Sequence, residues 1–128
     1  MRPARARARG PVSPEEAWQR YARPERWCEW SPQVREVDAD SDVIVAGASG
    51  TVRSLFGAEV RFVVLDVDAR ALSWSWRVRV GPLGLVLEHF LHREPGGGTL
   101  AEVLIHGPWP VTRLYRVPAT VALHRLVH

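Results

Sequence analysis

Apolar and polar residues alternate along most of the chain beyond Pro32, which is the pattern of half-buried β-strands. Turn residues divide this region into six segments, and each segment predicts a strand. The segments are Val34 to Ala39, Thr51 to Phe56, Ala58 to Val67, Leu72 to Val80, Leu85 to Arg93 and Thr99 to His106. The run Glu94-Pro95-Gly96-Gly97-Gly98 predicts a hairpin between the last two, because glycine adopts positive φ without steric cost. Together these strands predict an antiparallel meander.

The first ten residues have a different alternation, of alanine with arginine. Within the segment from Arg2 to Arg9, alanine and arginine alternate after Pro3. This period of two is typical of a strand with one small face and one charged face. Alanine is a poor strand former. Residues 1 to 10 are therefore either a seventh strand at a sheet edge or a solvated arm.

Two short helices are predicted between this segment and the meander. Ser13 is suited to the N-cap of a helix from Pro14 to Ala22, and Glu16 stands three residues later, as in a capping box. The segment Pro24 to Trp30 begins with a helix-breaking proline and predicts one or two further turns. Ser31-Pro32 then requires extended backbone.

The last segment, Val111 to His128, has the period of an amphipathic helix. The arc predicted to be buried comprises Val111, Leu114, Tyr115, Pro118, Val121, Ala122 and Leu126. The opposite arc comprises Thr112, Arg113, Arg116, Thr120 and His124. Because Pro118 has no N–H donor and crowds the carbonyl of Leu114, we expect the helix to kink there or to begin afresh.

The length and composition predict one globular domain over residues 1 to 128. No apolar run approaches the ~20 residues of a membrane span, and the N-terminal arginines are not followed by the apolar segment of a secretory signal. We therefore expect a cytoplasmic protein. The single cysteine, Cys28, excludes an internal disulfide.

The positive charge is concentrated at the N-terminus. Four of the 17 arginines lie in the first ten residues, which leaves 13 against 14 acidic residues in the remainder. Nucleic-acid binding is not expected, because it requires a clustered basic face.

Short motifs containing tryptophan, proline, glycine or histidine occur in a fixed order along the chain. They are Val12-Ser13-Pro14-Glu15-Glu16-Ala17-Trp18, Trp30-Ser31-Pro32, Leu72-Ser73-Trp74, His89, Gly97-Gly98-Thr99 and Gly107. Over roughly residues 10 to 127 they resemble the polyketide cyclase/dehydratase group of the START-like (SRPBCC) superfamily. The chain departs from that pattern in its weakly hydrophobic first strand and at Pro118.

The resemblance implies an α+β helix-grip fold, in which a curved antiparallel sheet of six to seven strands wraps a long C-terminal helix and leaves a cavity between them. The order of the predicted elements is the same: a strand, two short helices, the meander and a closing helix. Members of the superfamily include aromatic polyketide cyclases, lipid and hormone carriers and co-chaperone-like proteins. Such a resemblance implies a cavity more firmly than a reaction.

The strand from Leu72 to Val80 has Trp74 and Trp76 on one face and Ser73, Ser75, Arg77 and Arg79 on the other. Two inward tryptophans either fill a core or form the wall of a cavity for an aromatic ligand. Trp27 and Trp30 are expected near the entrance of such a cavity. The residues predicted to bind ligand are Trp27, Trp30, Phe62, Trp74, Trp76, Leu87, Tyr115 and Arg125.

His89 shares the apolar face of its strand with Leu87, so it is the candidate general acid or base. The alternative is a core histidine bonded to a carbonyl or a tyrosine. Glu102 and His106 alternate with apolar residues on a strand whose two faces are both largely apolar. They enter the cavity together as an acid/base pair, or both lie at the surface. Arg125 either reaches the cavity mouth or interacts with the helix dipole.

Three functions are consistent with these patterns. The first is binding of an apolar, aromatic or lipid-like small molecule. The second is a cyclase or dehydratase that uses His89 with Glu102 or His106 for proton transfer. The third is an interaction module in which the arginine arm and a strand edge bind a partner or form a homodimer. No cofactor or metal is expected, since Gly96-Gly97-Gly98 joins two strands rather than opening a helix and no residue set has metal-ligand spacing.

Overall fold

The computed structural model describes residues 3–54 and 57–128, which form an antiparallel sheet and three α-helices. The strands are β1 (Ala4–Gly10), β2 (Val34–Ala39), β3 (Ser49–Ser54), β4 (Glu59–Asp68), β5 (Ser73–Val80), β6 (Leu83–Arg93) and β7 (Thr99–His106). The helices are α1 (Pro14–Ala22), α2 (Trp27–Trp30), which follows a 3₁₀ turn at Pro24–Arg26, and α3 (Trp109–Val127). The strand order is β1-β7-β6-β5-β4-β3-β2, so β1 and β2 are the edges.

This architecture confirms the helix-grip fold. The six predicted strands are present, β2 and β7 with the predicted bounds and the others with shifts of one to two residues. The alanine/arginine segment is an edge strand rather than a solvated arm. Arg2, Leu55 and Phe56, which belonged to predicted strands, lie outside the described residues. No helix among the described residues is long and apolar enough to cross a membrane.

The first helix begins as its sequence predicts. Ser13 is in extended conformation, and its hydroxyl accepts a hydrogen bond from the Glu16 N–H at 3.2 Å. The other half of the capping box is not formed, because the Glu16 carboxylate instead accepts a bond from Arg26 at 2.9 Å. This bond joins the start of α1 to the 3₁₀ turn before α2.

The alternation of β1 matches its position beside α3. Ala6 is buried, and its neighbours on the same face, Ala4 and Ala8, are half-buried, whereas Arg5 and Arg7 point to the other face. Since α3 packs against β1, small side chains let the helix lie close to the sheet edge. The alanine face thus has a packing role that compensates for its low strand propensity.

The predicted buried arc of α3 is wrong in its rotation. Leu114 and Val121 are exposed, as is Val117, whereas Thr112 is buried. The buried residues are Thr112, Ala119, Ala122, Leu123, Leu126 and Val127. The buried face thus combines small residues with larger aliphatic ones. The Thr112 hydroxyl can be buried since it donates to the Trp109 carbonyl at 3.1 Å.

The helix α3 continues through Pro118 from Trp109 to Val127, so it does not begin afresh at the proline. Its C-terminal end is fixed to the start of the chain. The Val12 N–H donates to the Val127 carbonyl at 3.0 Å, and Arg20 donates to the Leu126 carbonyl at 2.8 Å. Gly10 lies so close to the Val127 carbonyl that any side chain there would collide with it.

Candidate functional site

A cavity of about 240 Å³ lies between the inner face of the sheet and the helices α2 and α3. Its wall combines aromatic side chains at one end with aliphatic side chains from β5, β6 and α3. The lining residues are Tyr21, Trp27, Trp30, Ser31, Gln33, Val34, Val52, Ser54, Val60, Trp74, Trp76, Val78, Val80, Leu83, Leu85, Leu87, His89, Val103, Val111, Tyr115, Ala119, Ala122 and Leu123.

The two ends of the cavity differ in exposure. Val80 and Leu83 are exposed lining residues on either side of the turn between β5 and β6, which indicates that the cavity opens there. Tyr21, Trp74 and His89 are buried and lie at the closed end. A ligand would therefore enter over aliphatic side chains and reach aromatic ones.

The closed end is a cluster of aromatic rings. His89 and Trp74 are directly opposite each other on β6 and β5, and their rings stack with centroids 4.1 Å apart. The Tyr21 ring lies edge-on to both, with centroid distances of 5.3 Å to His89 and 5.5 Å to Trp74. Trp76 lies 5.2 Å from Trp74 and 5.1 Å from Trp27. This packing holds the rings in a defined orientation around the cavity.

Most of the residues predicted for the site are brought together in this wall. Those that line the cavity are Trp27, Trp30, Trp74, Trp76, Leu87, His89 and Tyr115. Phe62 does not line it but supports the wall, since its ring lies 5.4 Å from that of Trp27 and 5.2 Å from that of Trp76.

Arg125 is placed away from the cavity, contrary to the expectation that its head group reaches the mouth. It is exposed on α3 and is not among the lining residues. The reason is the rotation of the helix, which exposes Leu114 and Val121 on the side that carries Arg125. The Arg125 carbonyl accepts a bond from Arg20 at 3.3 Å.

Glu102 and His106 lie on the outer face of β7, so they do not form an acid/base pair with His89. Ala101, Val103 and Ile105 occupy the inner face of this strand and are buried. The Glu102 carboxylate instead forms ion pairs with β1, at 3.3 Å to Arg5 and 3.8 Å to Arg7, and lies 3.5 Å from His92 Nε2 on β6. His106 Nε2 lies 2.6 Å from a Glu88 carboxylate oxygen.

The protonation state of His89 follows from its burial and its one backbone partner. Nδ1 lies 3.2 Å from the Trp74 carbonyl oxygen. Since a carbonyl only accepts, Nδ1 carries the proton and Nε2 is the unprotonated nitrogen. Burial lowers the pKa of His89 to about 3, which the bond to the carbonyl opposes only in part. At neutral pH this histidine is uncharged, so it cannot act as a general acid and is a weak base.

The four tryptophans of the wall differ in their hydrogen bonding. Trp27 Nε1 donates to the Tyr21 carbonyl at 2.8 Å, and Trp30 Nε1 donates to the Arg20 carbonyl at 3.1 Å. The indole N–H groups of Trp74 and Trp76 are buried and have no partner among the described residues. The Tyr21 hydroxyl and Gln33 Oε1 are likewise buried and unpaired.

The described lining residues include no charged side chain at neutral pH. Burial raises the pKa of Tyr21 and of Tyr115, and the Gln33 side chain opposes the shift of Tyr115 only in part, so both phenols are neutral. In the part of the chain that the structure describes, no three histidine, cysteine, aspartate or glutamate residues are grouped to hold a metal ion.

Sequence reasoning missed Tyr21 and Gln33, the polar residues that join the predicted aromatic ones. Tyr21 stands four residues after Ala17 and three after Trp18, and all three are buried, so the period of α1 could have identified it. Gln33 follows Pro32 in an irregular segment and has no such signal. Ala122 was predicted on the buried arc of α3, whereas Ala119 and Leu123 were missed because the predicted rotation of the helix was wrong.

A family model described as "Polyketide cyclase / dehydrase and lipid transport" matches residues 4–121 of the chain. No curated protein matches the chain significantly. The family match covers most of the sequence and agrees with the helix-grip fold and its cavity. The chain therefore belongs to this family and has a ligand-binding fold.

Solved structures share this fold at low sequence identity. A hypothetical protein from Helicobacter pylori is 11% identical, with a TM-score of 0.81 over 98% of this chain and 87% of its own. DynU16, from the dynemicin biosynthetic locus, is 18% identical, with a TM-score of 0.76 over 97% of this chain and 45% of its own. CalU16 from Micromonospora echinospora is 20% identical, with a TM-score of 0.74 over 94% of this chain and 69% of its own.

Proposed function

We propose, on the premise of this family membership, that the protein binds a hydrophobic small molecule, aromatic or lipid-like, in the cavity between the sheet and α3. The observation that carries the proposal is the apolar cavity of about 240 Å³ with an aromatic closed end. An apolar cavity of about 150 Å³ is large enough to bind benzene, so this one admits a larger molecule.

The composition of the wall supports an aromatic ligand in particular. Binding sites for small molecules are concave, mostly apolar and carry a few polar groups that orient the ligand. Trp27, Trp74 and Trp76 offer indole faces and edges, against which a planar ring can stack or pack edge-on. The rest of the wall is mainly aliphatic, which suits the remainder of such a molecule.

Binding has more support than proton-transfer catalysis. The titratable lining residues among those described are His89, Tyr21 and Tyr115, and all are neutral at pH 7. A histidine with a pKa near 3 is poorly matched to acid/base chemistry at that pH. Glu102 and His106, the other candidates, face away from the cavity.

A role as an interaction module also has less support. The arginines of β1 are engaged within the chain, Arg5 and Arg7 with Glu102 and Arg9 with Glu94 at 2.8 Å. They are therefore not a free cationic arm. A homodimer stays a prediction, to be tested by the mass of the protein in solution.

Binding is tested with Prodan, an uncharged naphthalene ketone whose emission moves to shorter wavelength in apolar surroundings. The wild-type protein is expected to saturate with a blue shift. Ala122→Phe places a ring in the cavity from α3 and is expected to weaken binding at least about tenfold, by occupying the ligand's volume. Val121→Phe adds a ring at the next position, which is exposed and outside the wall, and serves as the matched control.

Equal affinities of the wild type, Ala122→Phe and Val121→Phe would contradict the proposal, because Prodan would then bind elsewhere. Absence of saturable binding, by Prodan and by long-chain alcohols that displace it, would contradict it as well. Circular dichroism of each variant establishes that it is folded before affinities are compared.

A further inference from the structure

Three unpaired hydrogen-bond donors lie together at the closed end of the cavity. Trp74 and Trp76 are two residues apart on the inner face of β5, with ring centroids 5.2 Å apart. The Tyr21 ring is 5.5 Å from that of Trp74. Neither indole N–H nor the Tyr21 hydroxyl has a partner among the described residues.

An acceptor on a bound molecule would satisfy these donors. Buried polar groups in proteins almost always have a hydrogen-bond partner, because an unpaired one loses its bond to water without replacement. Here the donors belong to Tyr21, Trp74 and Trp76, which all line the cavity. The other two tryptophans of the wall are already bonded to backbone carbonyls, so among these tryptophans the β5 pair is the one without acceptors in the described part of the chain.

The wall also limits the charge of the ligand. None of its described side chains carries a charge at neutral pH, and His89 and the two tyrosines are held neutral by burial. An ionised carboxylate entering this space would lose its hydration and gain no counter-charge. Indole N–H groups offer hydrogen bonds but only a partial positive charge.

We infer that the cavity selects an uncharged ligand bearing an oxygen acceptor, a carbonyl or a hydroxyl, that pairs with the indole N–H groups of Trp74 and Trp76. The inference rests on the proposed function and adds to it the ligand's polar group and its charge. Within the wall it assigns polar recognition to the β5 pair and shape complementarity to Trp27 and Trp30.

The test uses three naphthalenes of nearly equal shape. These are 2-acetylnaphthalene, which carries a carbonyl, 2-isopropenylnaphthalene, which has a methylene group in place of the oxygen, and 2-naphthoate, which is charged. Isothermal titration calorimetry at pH 7 measures each affinity. The ketone is expected to bind about tenfold more tightly than the alkene, as one hydrogen bond to a buried donor predicts. The carboxylate is expected to bind at least about tenfold more weakly than the ketone.

Variants then locate the donors. Trp74→Phe and Trp76→Phe each keep an aromatic ring but remove the N–H, and each is expected to bring the ketone-to-alkene ratio closer to one. Trp109→Phe removes an exposed indole outside the wall and is expected to retain the wild-type ratio. The comparison of ligands on the wild type needs no variant, so it remains decisive if a substitution prevents folding.

Equal affinities for the ketone and the alkene, with both bound, would overturn the inference and leave the proposed function standing. Retention of the full ratio in both Trp74→Phe and Trp76→Phe would overturn the assignment of the donors. Naphthoate that binds as tightly as the ketone would overturn the selection against charge. If none of the three binds, the inference falls together with the proposed function.

Discussion

Two pairs of tryptophans line the same cavity but have different relations to the rest of the chain. Trp27 and Trp30 come from α2 and donate their indole protons to carbonyls of α1, at 2.8 Å and 3.1 Å. Trp74 and Trp76 come from β5, and their indole protons have no partner among the described residues. The indole N–H groups of the first pair have hydrogen-bond acceptors without a ligand, whereas those of the second pair do not have them among the described residues.

Hydrogen bonding of the indole thus distinguishes the aromatic residues of an apolar wall that can recognise a ligand. A tryptophan whose polar atom is satisfied by the backbone fixes the position of the element that carries it. A buried tryptophan with an unpaired N–H costs free energy in the empty protein and can recover it when an acceptor arrives. Burial alone would not separate the pairs, since Trp27 is 2% exposed and Trp74 is 3% exposed.

The largest expected effect is on stability, and it tests the structural role of the α2 pair. Trp27→Ala removes a ring that packs against Phe62, Trp74 and Trp76, and should lower the free energy of unfolding by about 3–5 kcal/mol. Urea unfolding followed by circular dichroism measures the change. Trp109→Ala, at an exposed position, should stay within about 0.5 kcal/mol of the wild type. A loss for Trp27→Ala as small as that of the control would contradict the role.

The next effect concerns His89, which stacks on Trp74. Its pKa in the folded protein is about 3, against 6.5 for the exposed group, so between these values the unfolded state binds a proton that the folded state does not. As far as it depends on His89, the free energy of unfolding therefore has its full value above pH 6.5 and falls as the pH decreases towards 3. From pH 7 to pH 5, wild type should lose about 2 kcal/mol more than His89→Asn, which retains an N–H donor but cannot titrate. If urea unfolding shows that wild type and His89→Asn lose the same free energy of unfolding from pH 7 to pH 5, His89 is not buried in its neutral form.

A smaller effect separates the two pairs directly. Trp27→Phe leaves the Tyr21 carbonyl without its donor, whereas Trp74→Phe removes a donor that has no partner within residues 3–54 and 57–128. Because both side chains are buried to the same degree, the loss of ring volume should largely cancel between the variants. Trp27→Phe should be the less stable by about 1 kcal/mol in urea unfolding. Equal stabilities, or the reverse order, would mean that the Trp74 N–H has a partner in the free protein.

The smallest effect is expected on the outer face of the sheet. Glu102→Gln removes ion pairs with the exposed side chains of Arg5 and Arg7 and should cost less than about 1 kcal/mol. It should not change the affinity for 2-acetylnaphthalene, measured by calorimetry, because Glu102 is not part of the wall. If the affinity of the folded variant falls about tenfold, Glu102 takes part in ligand binding.

The contrast between the pairs also shows what the sequence could predict. Alternation identified β5 and placed both of its tryptophans inward, because the polar face of that strand is unambiguous. On β7 both faces are largely apolar, so only pairing with β1 could decide that Glu102 faces the arginines. The rotation of α3 was wrong for a related reason: hydrophobicity favoured Leu114, whereas packing against β1 and β7 buries Thr112 and Leu123 instead.

The hydrogen-bonding state of each indole could not be predicted at all. It depends on where the backbone carbonyls of α1 lie relative to α2, which is a tertiary relation with no period in the sequence. The lowered pKa of His89 likewise requires its burial to be known, although its inward face was predicted. Residue type and spacing thus predicted which residues form the wall, whereas the hydrogen bonding of the indoles and the pKa of His89 depend on tertiary packing.

The indole signals in ¹H–¹⁵N correlation spectra show whether the β5 pair, and not the α2 pair, recognises a ligand's oxygen. The signals are assigned from single Trp→Phe variants, and the wild type is then saturated with 2-acetylnaphthalene or with 2-isopropenylnaphthalene. The indole protons of Trp74 and Trp76 should resonate further downfield with the ketone than with the alkene. Those of Trp27 and Trp30 should be nearly the same with both ligands. Identical indole signals with the ketone and the alkene, or a difference confined to Trp27 and Trp30, would contradict recognition of the oxygen by the β5 pair.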